Sequence, residues 1–383
     1  MLESVILGAV RTPVGRKNGS LRDVRAEYLA AHVINEVLAR TGIEAKAVDD
    51  AVFGCNTQIE EQGLNVARIA VLTAGLPETV AGTTVNRQCG SSLQACNIAA
   101  MAVATGQSDI VIGGGVESMT RVPMGSDAGV FNEKLLARYD LVPQGVSAEL
   151  IAEKWGLTRE ELDEYSLMSH RRAIAAIDAG RFKDEIVPVP VKNEDGKEVL
   201  FEVDEHPRRE TSLEKLAKLP AAFKPDGMVT AGNSSGINDG AAALVFATKD
   251  KAQELGLEPM ATVRTMAVAG VDPVIMLTGP IPASRKALKK ADLTMNDVDL
   301  VELNEAFASV ALACSRELNI DHEKMNPNGG AIALGHPLGA SGARILTTLL
   351  YEMERRDVRW GLATLCIGFG QGIATIVERE AAA

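Results

Sequence analysis

Along the first third of the chain, short apolar runs alternate with stretches whose apolar positions recur every three to four residues. The run V-I-L-G-A-V from Ser4 predicts a buried strand, followed by the turn-rich R-T-P-V-G and a helix over about 26–41 closed by Gly42. A-V-D-D-A-V-F-G-C-N predicts the next strand, and 65–74 a helix ended by Gly75. T-T-V-N-R-Q reads as a third strand, 90–105 as a small-residue helix ended by Gly106, and D-I-V-I-G-G-G as a fourth strand. Such alternation predicts an α/β protein with largely parallel strands and helices on the sheet faces.

The second half carries an echo of the first. L-T-M-N-D-V-D-L-V-E-L-N at 293–304 matches E-A-K-A-V-D-D-A-V-F-G-C-N at 44–56 in pattern, each a strand ending on a polar residue. A helix over 305–318, a glycine-rich turn near 335, a helix over 339–355 and the strand W-G-L-A-T-L-C complete a similar layout. We expect two homologous halves; a chance match between ordinary α/β segments is the other reading. Over 118–228 the charge rises, His206 and Pro207 sit in a basic turn, and 148–181 shows two amphipathic helices with Thr158 and Glu161 spaced as a capping box. The expected division is 1–117 with 229–258, an inserted domain at 118–228, and 259–383.

With 383 residues the chain exceeds what one core serves, and 46 % apolar against 23 % charged residues places it among ordinary globular proteins. The balance of 39 basic to 51 acidic residues, a formal charge of −12, argues against a general nucleic-acid or anionic-membrane surface. An anionic ligand must therefore meet a local basic patch. Five cysteines, an odd number without a C-x-x-C pair or Cys/His spacing, predict neither a disulfide framework nor a metal site. The start lacks the basic and apolar regions of a signal peptide, and no run reaches the length of a membrane span, so we expect a reduced, cytoplasmic protein.

Three side chains stand out chemically. Cys89 falls between a strand and a small-residue helix, where free backbone N–H groups and the positive helix end favour a thiolate. Cys96 and Cys314 read instead as packing residues. His336 lies in N-P-N-G-G-A-I-A-L-G-H-P-L-G-A-S-G, where glycines on both sides permit close approach of other groups. Cys366 ends an apolar strand and enters I-G-F-G-Q-G, a turn able to bring backbone amides up to a ligand atom. Together they predict acyl transfer through one thiol, with the second as acid or base.

V-N-R-Q-C-G-S-S-L-Q-A, V-E-L-N-E-A-F, G-G-A-I-A-L-G-H-P-L-G-A-S-G and C-I-G-F-G-Q-G stand in the order found in thiolases, and the resemblance covers essentially the whole chain. It implies two fused βαβαβαββ halves in a five-layered α-β-α-β-α fold with an inserted loop domain. It also implies an acyltransferase that cleaves 3-oxoacyl-CoA with coenzyme A, as in fatty-acid β-oxidation. The alternative within the family is an acetyl-CoA acetyltransferase condensing two acetyl-CoA. By position, Cys89 resembles the acylated nucleophile, His336 its activating base and Cys366 the proton donor or acceptor at the acetyl α-carbon. Asn304 resembles the holder of a water in one oxyanion hole, shared with His336, and the amides of Cys89 and Gly368 the other hole.

Coenzyme A is then a substrate, and no cofactor or metal is expected. Arg208 resembles a residue near its nucleotide end, with Lys215 and Lys218 a short way on; an ordinary solvated arginine is the other reading. Ser235 resembles a contact of the pantetheine arm. Gln144 stands where biosynthetic relatives carry a methionine, Met276 keeps the other pocket methionine, and Phe369 interrupts three glycines, so it either narrows the acyl pocket or points into the core. The segment 125–143 is shorter than a tetramerisation loop, which implies a homodimer, with a homotetramer as the alternative. A condensing enzyme acting on an acyl carrier would need a second histidine in a comparable turn. A scaffold on a degenerate fold would lack one of the three reactive side chains, and a hydrolase has no use for the second thiol.

Overall fold

The computed structural model describes residues 2–380. The chain begins with β1 (Ser4–Arg11), β2 (Gly15–Arg16), α1 (Ala26–Thr41), β3 (Asp50–Gly54), α2 (Val66–Thr73), β4 (Ala81–Val85), α3 (Ser91–Ala104) and β5 (Ile110–Ser118). It then runs through α4 (Glu133–Leu136), α5 (Gln144–Lys154), α6 (Arg159–Asp178), β6 (Val189–Lys192), β7 (Glu198–Phe201) and α7 (Leu213–Ala217), and returns as β8 (Asn238–Thr248) and α8 (Lys249–Leu255). The remainder is β9 (Ala261–Gly270), α9 (Pro280–Ala291), β10 (Leu300–Leu303), α10 (Ala308–Leu318), α11 (Ala331–Leu334), α12 (Ser341–Arg356), β11 (Trp360–Ile367) and β12 (Gln371–Glu378). The first helix has the bounds its periodicity predicts. α5 and α6 are the two amphipathic helices, and Thr158 and Glu161 form the reciprocal capping box that satisfies two free N–H groups at the start of α6.

The strands lie in the order β10-β11-β12-β9-β1-β8-β5-β3-β4, with β2 beside β8. Only β3 with β4 and β5, and β10 with β11, run parallel; β1, β8, β9 and β12 make antiparallel pairs. The expectation of largely parallel strands is thus corrected to a mixed sheet. An apolar run records burial on both faces and not direction. The short turn at 368–370 between β11 and β12 permits only an antiparallel pair.

The strand order repeats. β4-β3-β5-β8-β1 is mirrored in sense by β10-β11-β12-β9, and where β4 would have its counterpart, Met325 makes a single parallel bridge to Val301. The two parts join where β1 meets β9, at Val5↔Thr262 and Ile6↔Ala261. α1 and α2 cover the outer face of the first part, and α9, backed by α10, that of the second. Between them α3 and α12 pack on each other and on strands of both parts, giving the five layers. Their shared core is built from Leu93, Cys96, Ala99, Leu346 and Leu349 with Ile367 and Ile373. Cys96 and Cys314 are fully buried in core clusters, in line with a packing role. Among the described residues no helix is long and apolar enough to cross a membrane.

Candidate active site

The turn from β4 into α3 is tied by short-range bonds. Gln88 stands at φ 50°, its N–H donates to Asn86 Oδ1 at 2.8 Å, and the Ser91 hydroxyl donates to Gln88 O at 2.6 Å. Cys89 is thereby delivered to the head of α3, 4 % exposed. The next residue, Gly90, lets the backbone come close: a Cβ there would lie 2.7 Å from Ile367 Cδ1. This contact seats the head of α3 against the β11–β12 hairpin. Arg87 reinforces it by donating to Gln371 Oε1 at 3.0 Å.

Burial pushes the Cys89 thiol up to about 11, against the pull of hydrogen bonds from its own N–H, the N–H of Gly368 and the Gln144 side chain. The expectation that the helix end would favour a thiolate is therefore corrected: desolvation outweighs the backbone donors, and Cys89 rests as a neutral thiol. Alkylation of Cys89 by iodoacetamide is expected to accelerate with pH without levelling off near neutrality. A plateau around pH 7 would instead reveal a preformed thiolate.

His336 is held in one tautomer. Its backbone N–H donates to Asn238 Oδ1 at 3.0 Å, and Nδ1 lies 2.6 Å from Ser341 Oγ, whose single proton goes to Pro337 O at 2.8 Å. Ser341 can only accept from the ring, so Nδ1 carries the hydrogen and Nε2 presents its lone pair, 3.3 Å from Asn304 Nδ2. Gly335 just before it has φ 101°, and a Cβ there would strike Asn238 Cγ at 2.5 Å. Burial, with the charge of Arg344 adding to it, pushes the His336 imidazole down to about 3. It rests as a neutral base. Removing the tautomer lock by Ser341→Ala is expected to lower kcat by about 10- to 100-fold while the melting temperature stays close to wild type. An unchanged kcat would show that Ser341 plays no part in orienting the ring.

Cys366 ends β11, fully buried, and its thiol is pushed well up by burial and by the nearby Cys89 sulfur. The two thiols are thus near enough for each to feel the other's charge. Asn304 follows β10, its N–H donating to Thr364 O at 3.0 Å, and its Oδ1 is buried without a partner.

Of these groups His336 borders a cavity of about 1160 Å³; Cys89, Cys366, Asn304 and Gly368 lie behind its wall, Cys89 directly beneath Met119 and Leu338. His336, Gln144, Ser235 and Arg208 line it, as do Met119 and Leu338, which pack directly on Cys89. Met276 and Phe369 are not in its wall. Met276 is buried in the core beneath α5, because the short 3-10 turn that carries it packs there. Phe369 stands at φ 59° and is 47 % exposed, its ring set edge-on to Phe131 at 5.7 Å. It does not point into the core, and its left-handed backbone occupies a turn that glycine would adopt with less strain.

Three supporting residues carried no signal in the linear sequence. Buried Glu117 accepts from Asn56 N at 2.8 Å, Thr57 N at 3.1 Å, Gln62 Nε2 at 2.8 Å and Gly339 N at 2.8 Å, tying the turn after β3 to the His336 turn. Glu305 accepts from Tyr165, Ser169 and Asn326 side chains and from Ile332 N, which fixes the loop bearing Asn304 to α6. Asn238 joins the His336 turn to Gly15, its Nδ2 donating to Gly15 O at 3.0 Å.

A buried thiol, a neutral imidazole and a second buried thiol gathered between two similar α/β parts form a cysteine-based acyl-transfer site. The chain belongs to the thiolase family: residues 4–250 match the thiolase N-terminal domain and residues 257–379 the thiolase C-terminal domain. It is an acyltransferase. It is similar to the 3-ketoacyl-CoA thiolase FadA of Escherichia coli, 50 % identical with 99 % of this chain and 100 % of the relative covered. It is 48 % identical to an acetyl-CoA acetyltransferase of Syntrophomonas wolfei, covering 98 % of this chain and 99 % of that one. Among solved structures, the Bacillus anthracis acetyl-CoA acetyltransferase superposes with a TM-score of 0.93 at 44 % identity, over 99 % of both chains.

Proposed function

We propose that this thiolase cleaves 3-oxoacyl-CoA with free coenzyme A, giving acetyl-CoA and an acyl-CoA shortened by two carbons, as in fatty-acid β-oxidation. The observation that carries the reading is the hydrogen bond of the Gly368 N–H to the Cys89 sulfur, with the Cys366 thiol near enough to feel the Cys89 charge and a neutral, oriented His336 in the adjoining cavity wall. His336 Nε2 takes the Cys89 proton as the sulfur attacks the 3-keto carbon, and the N–H groups of Cys89 and Gly368 receive the oxyanion. The bond between carbons 2 and 3 then breaks. Its electrons form the acetyl-CoA enolate, held by Asn304 with a water and by His336, and Cys366 protonates the α-carbon.

In the second half coenzyme A returns its thiol proton to Cys366 and attacks the acyl-Cys89 thioester. Released Cys89 regains its proton from His336, so every group ends as it began. Each oxyanion donor contributes about 3 kcal/mol to its transition state. Side chains and coenzyme A carry the whole cycle, with no role for a metal. Ser235 contacts the pantetheine arm, and Arg208 in the insert 118–228 the nucleotide end. Gln144 bounds the acyl pocket next to the nucleophile, with Met276 behind it. The protein works in the cytoplasm as a homodimer.

The same groups run in reverse condense two acetyl-CoA, the reaction in the name of the Syntrophomonas and Bacillus relatives. Consumption of 3-oxoacyl-CoA thioesters of four to sixteen carbons, with free coenzyme A present, tests the choice. Turnover of the longer chains supports the proposal, and activity confined to the four-carbon substrate overturns it.

A further inference from the structure

The cavity changes character along its length. At the catalytic end its wall is Met119, Leu338 and the neutral His336; towards solvent it is Arg16, Lys17, Arg208 and Lys215. Arg208 and Lys215 belong to the insert, whereas Arg16 and Lys17 come from the opposite end of the sequence. Their loop is built in place: Gly15 and Arg16 pair with Asp239 and Asn238, and Lys17 N donates to Ile237 O at 3.0 Å. Glu205 clamps the loop from the insert, accepting from Arg16 N at 2.8 Å, Ser20 N at 2.9 Å and Ser20 Oγ at 3.0 Å. Since Asn238 also accepts the His336 N–H, the loop and the catalytic base share one anchor.

The charges of this loop are left largely unspent. Glu205 uses its oxygens on backbone and hydroxyl donors and lies 3.9 Å from the Arg16 Nε, whose side chain is 68 % exposed. Lys215 reaches Glu210 at 3.5 Å, while among the described residues neither Lys17 nor Arg208 has a carboxylate partner. In a chain of net charge −12, a cavity mouth whose cations Arg16, Lys17, Arg208 and Lys215 outnumber its carboxylates Glu205 and Glu210 makes a local site for a multiply charged anion. The neutral inner end and cationic outer end match a ligand with a neutral thioester arm and a phosphorylated tail.

We propose that Arg16 and Lys17 form a second cationic wall of this mouth and, with Arg208, bind the phosphates of coenzyme A. The inference rests on the coenzyme A reading of the cavity. The test compares Arg16→Met and Lys17→Met with wild type on one 3-oxoacyl group carried by coenzyme A, by 3′-dephospho-coenzyme A and by pantetheine. The ratio of kcat/KM for the coenzyme A thioester to that for the pantetheine thioester is expected to fall about fivefold for each cation removed, and less at high salt. If the dephospho thioester escapes the loss, the 3′-phosphate is the partner; if it shares it, the pyrophosphate is. An unchanged ratio, or an equal loss on the pantetheine thioester, overturns the proposal. Failure of wild type to turn over any of the three would instead sink the functional reading beneath it.

Discussion

Cys89→Ala lowers thiolysis of 3-oxoacyl-CoA by more than about 10⁴-fold, and the variant keeps its own mass after incubation with substrate, whereas the wild-type chain gains one acyl group. The size of the effect follows from the site's construction. No neighbour can take over the attack: burial holds the Cys366 thiol well above its usual range, and Met119 and Leu338, which pack on Cys89, are inert. Water admitted by the lost sulfur would have to attack without a covalent intermediate. Alanine removes one buried atom beside apolar neighbours, so the fold survives and the loss is chemical. Wild-type enzyme recovered without an adduct, under conditions in which it turns over, would refute the acyl-enzyme.

Cys366→Ser separates the two halves of the cycle. Thiolysis is expected to fall about 10³-fold, because serine is a far weaker acid than a thiol and the enolate must find its proton elsewhere. Exchange of labelled coenzyme A into acetyl-CoA breaks no carbon–carbon bond and asks of Cys366 only the passage of the coenzyme A thiol proton, which His336 can also carry, so it stays within about tenfold of wild type. His336→Ala impairs both reactions, because its neutral Nε2 serves each passage of the Cys89 proton. Equal losses of thiolysis and exchange in Cys366→Ser would show that the second thiol supports the structure and does not move the proton.

What the sequence discloses and what it withholds divide along physical lines. Local information is legible: periodicity sets α1, a short polar motif sets the Thr158–Glu161 cap, and glycines beside Cys89, His336 and Cys366 mark tight turns. Direction and partnership are not. The strands β8 and β12 look alike whether they run parallel or antiparallel, and the counterpart of β4 shrinks to one bridge at Met325 without leaving a mark in the pattern. Glu117, Glu305 and Ser341 resemble ordinary polar residues until the chain folds and gives each its buried donors or acceptors. The Cys89 thiol misleads in the same way: the helix head is visible in the sequence, but the desolvation that outweighs it comes from distant residues.

Gly90 presses the head of α3 onto Ile367 and Ile373, and that one contact has a consequence for the order of assembly. The nucleophile is contributed by one repeat and the base and acid by the other, so neither can become active alone, however well its own strands have formed. During refolding from denaturant, regain of catalysis should trail the recovery of helical signal and coincide with the docking of the two repeats.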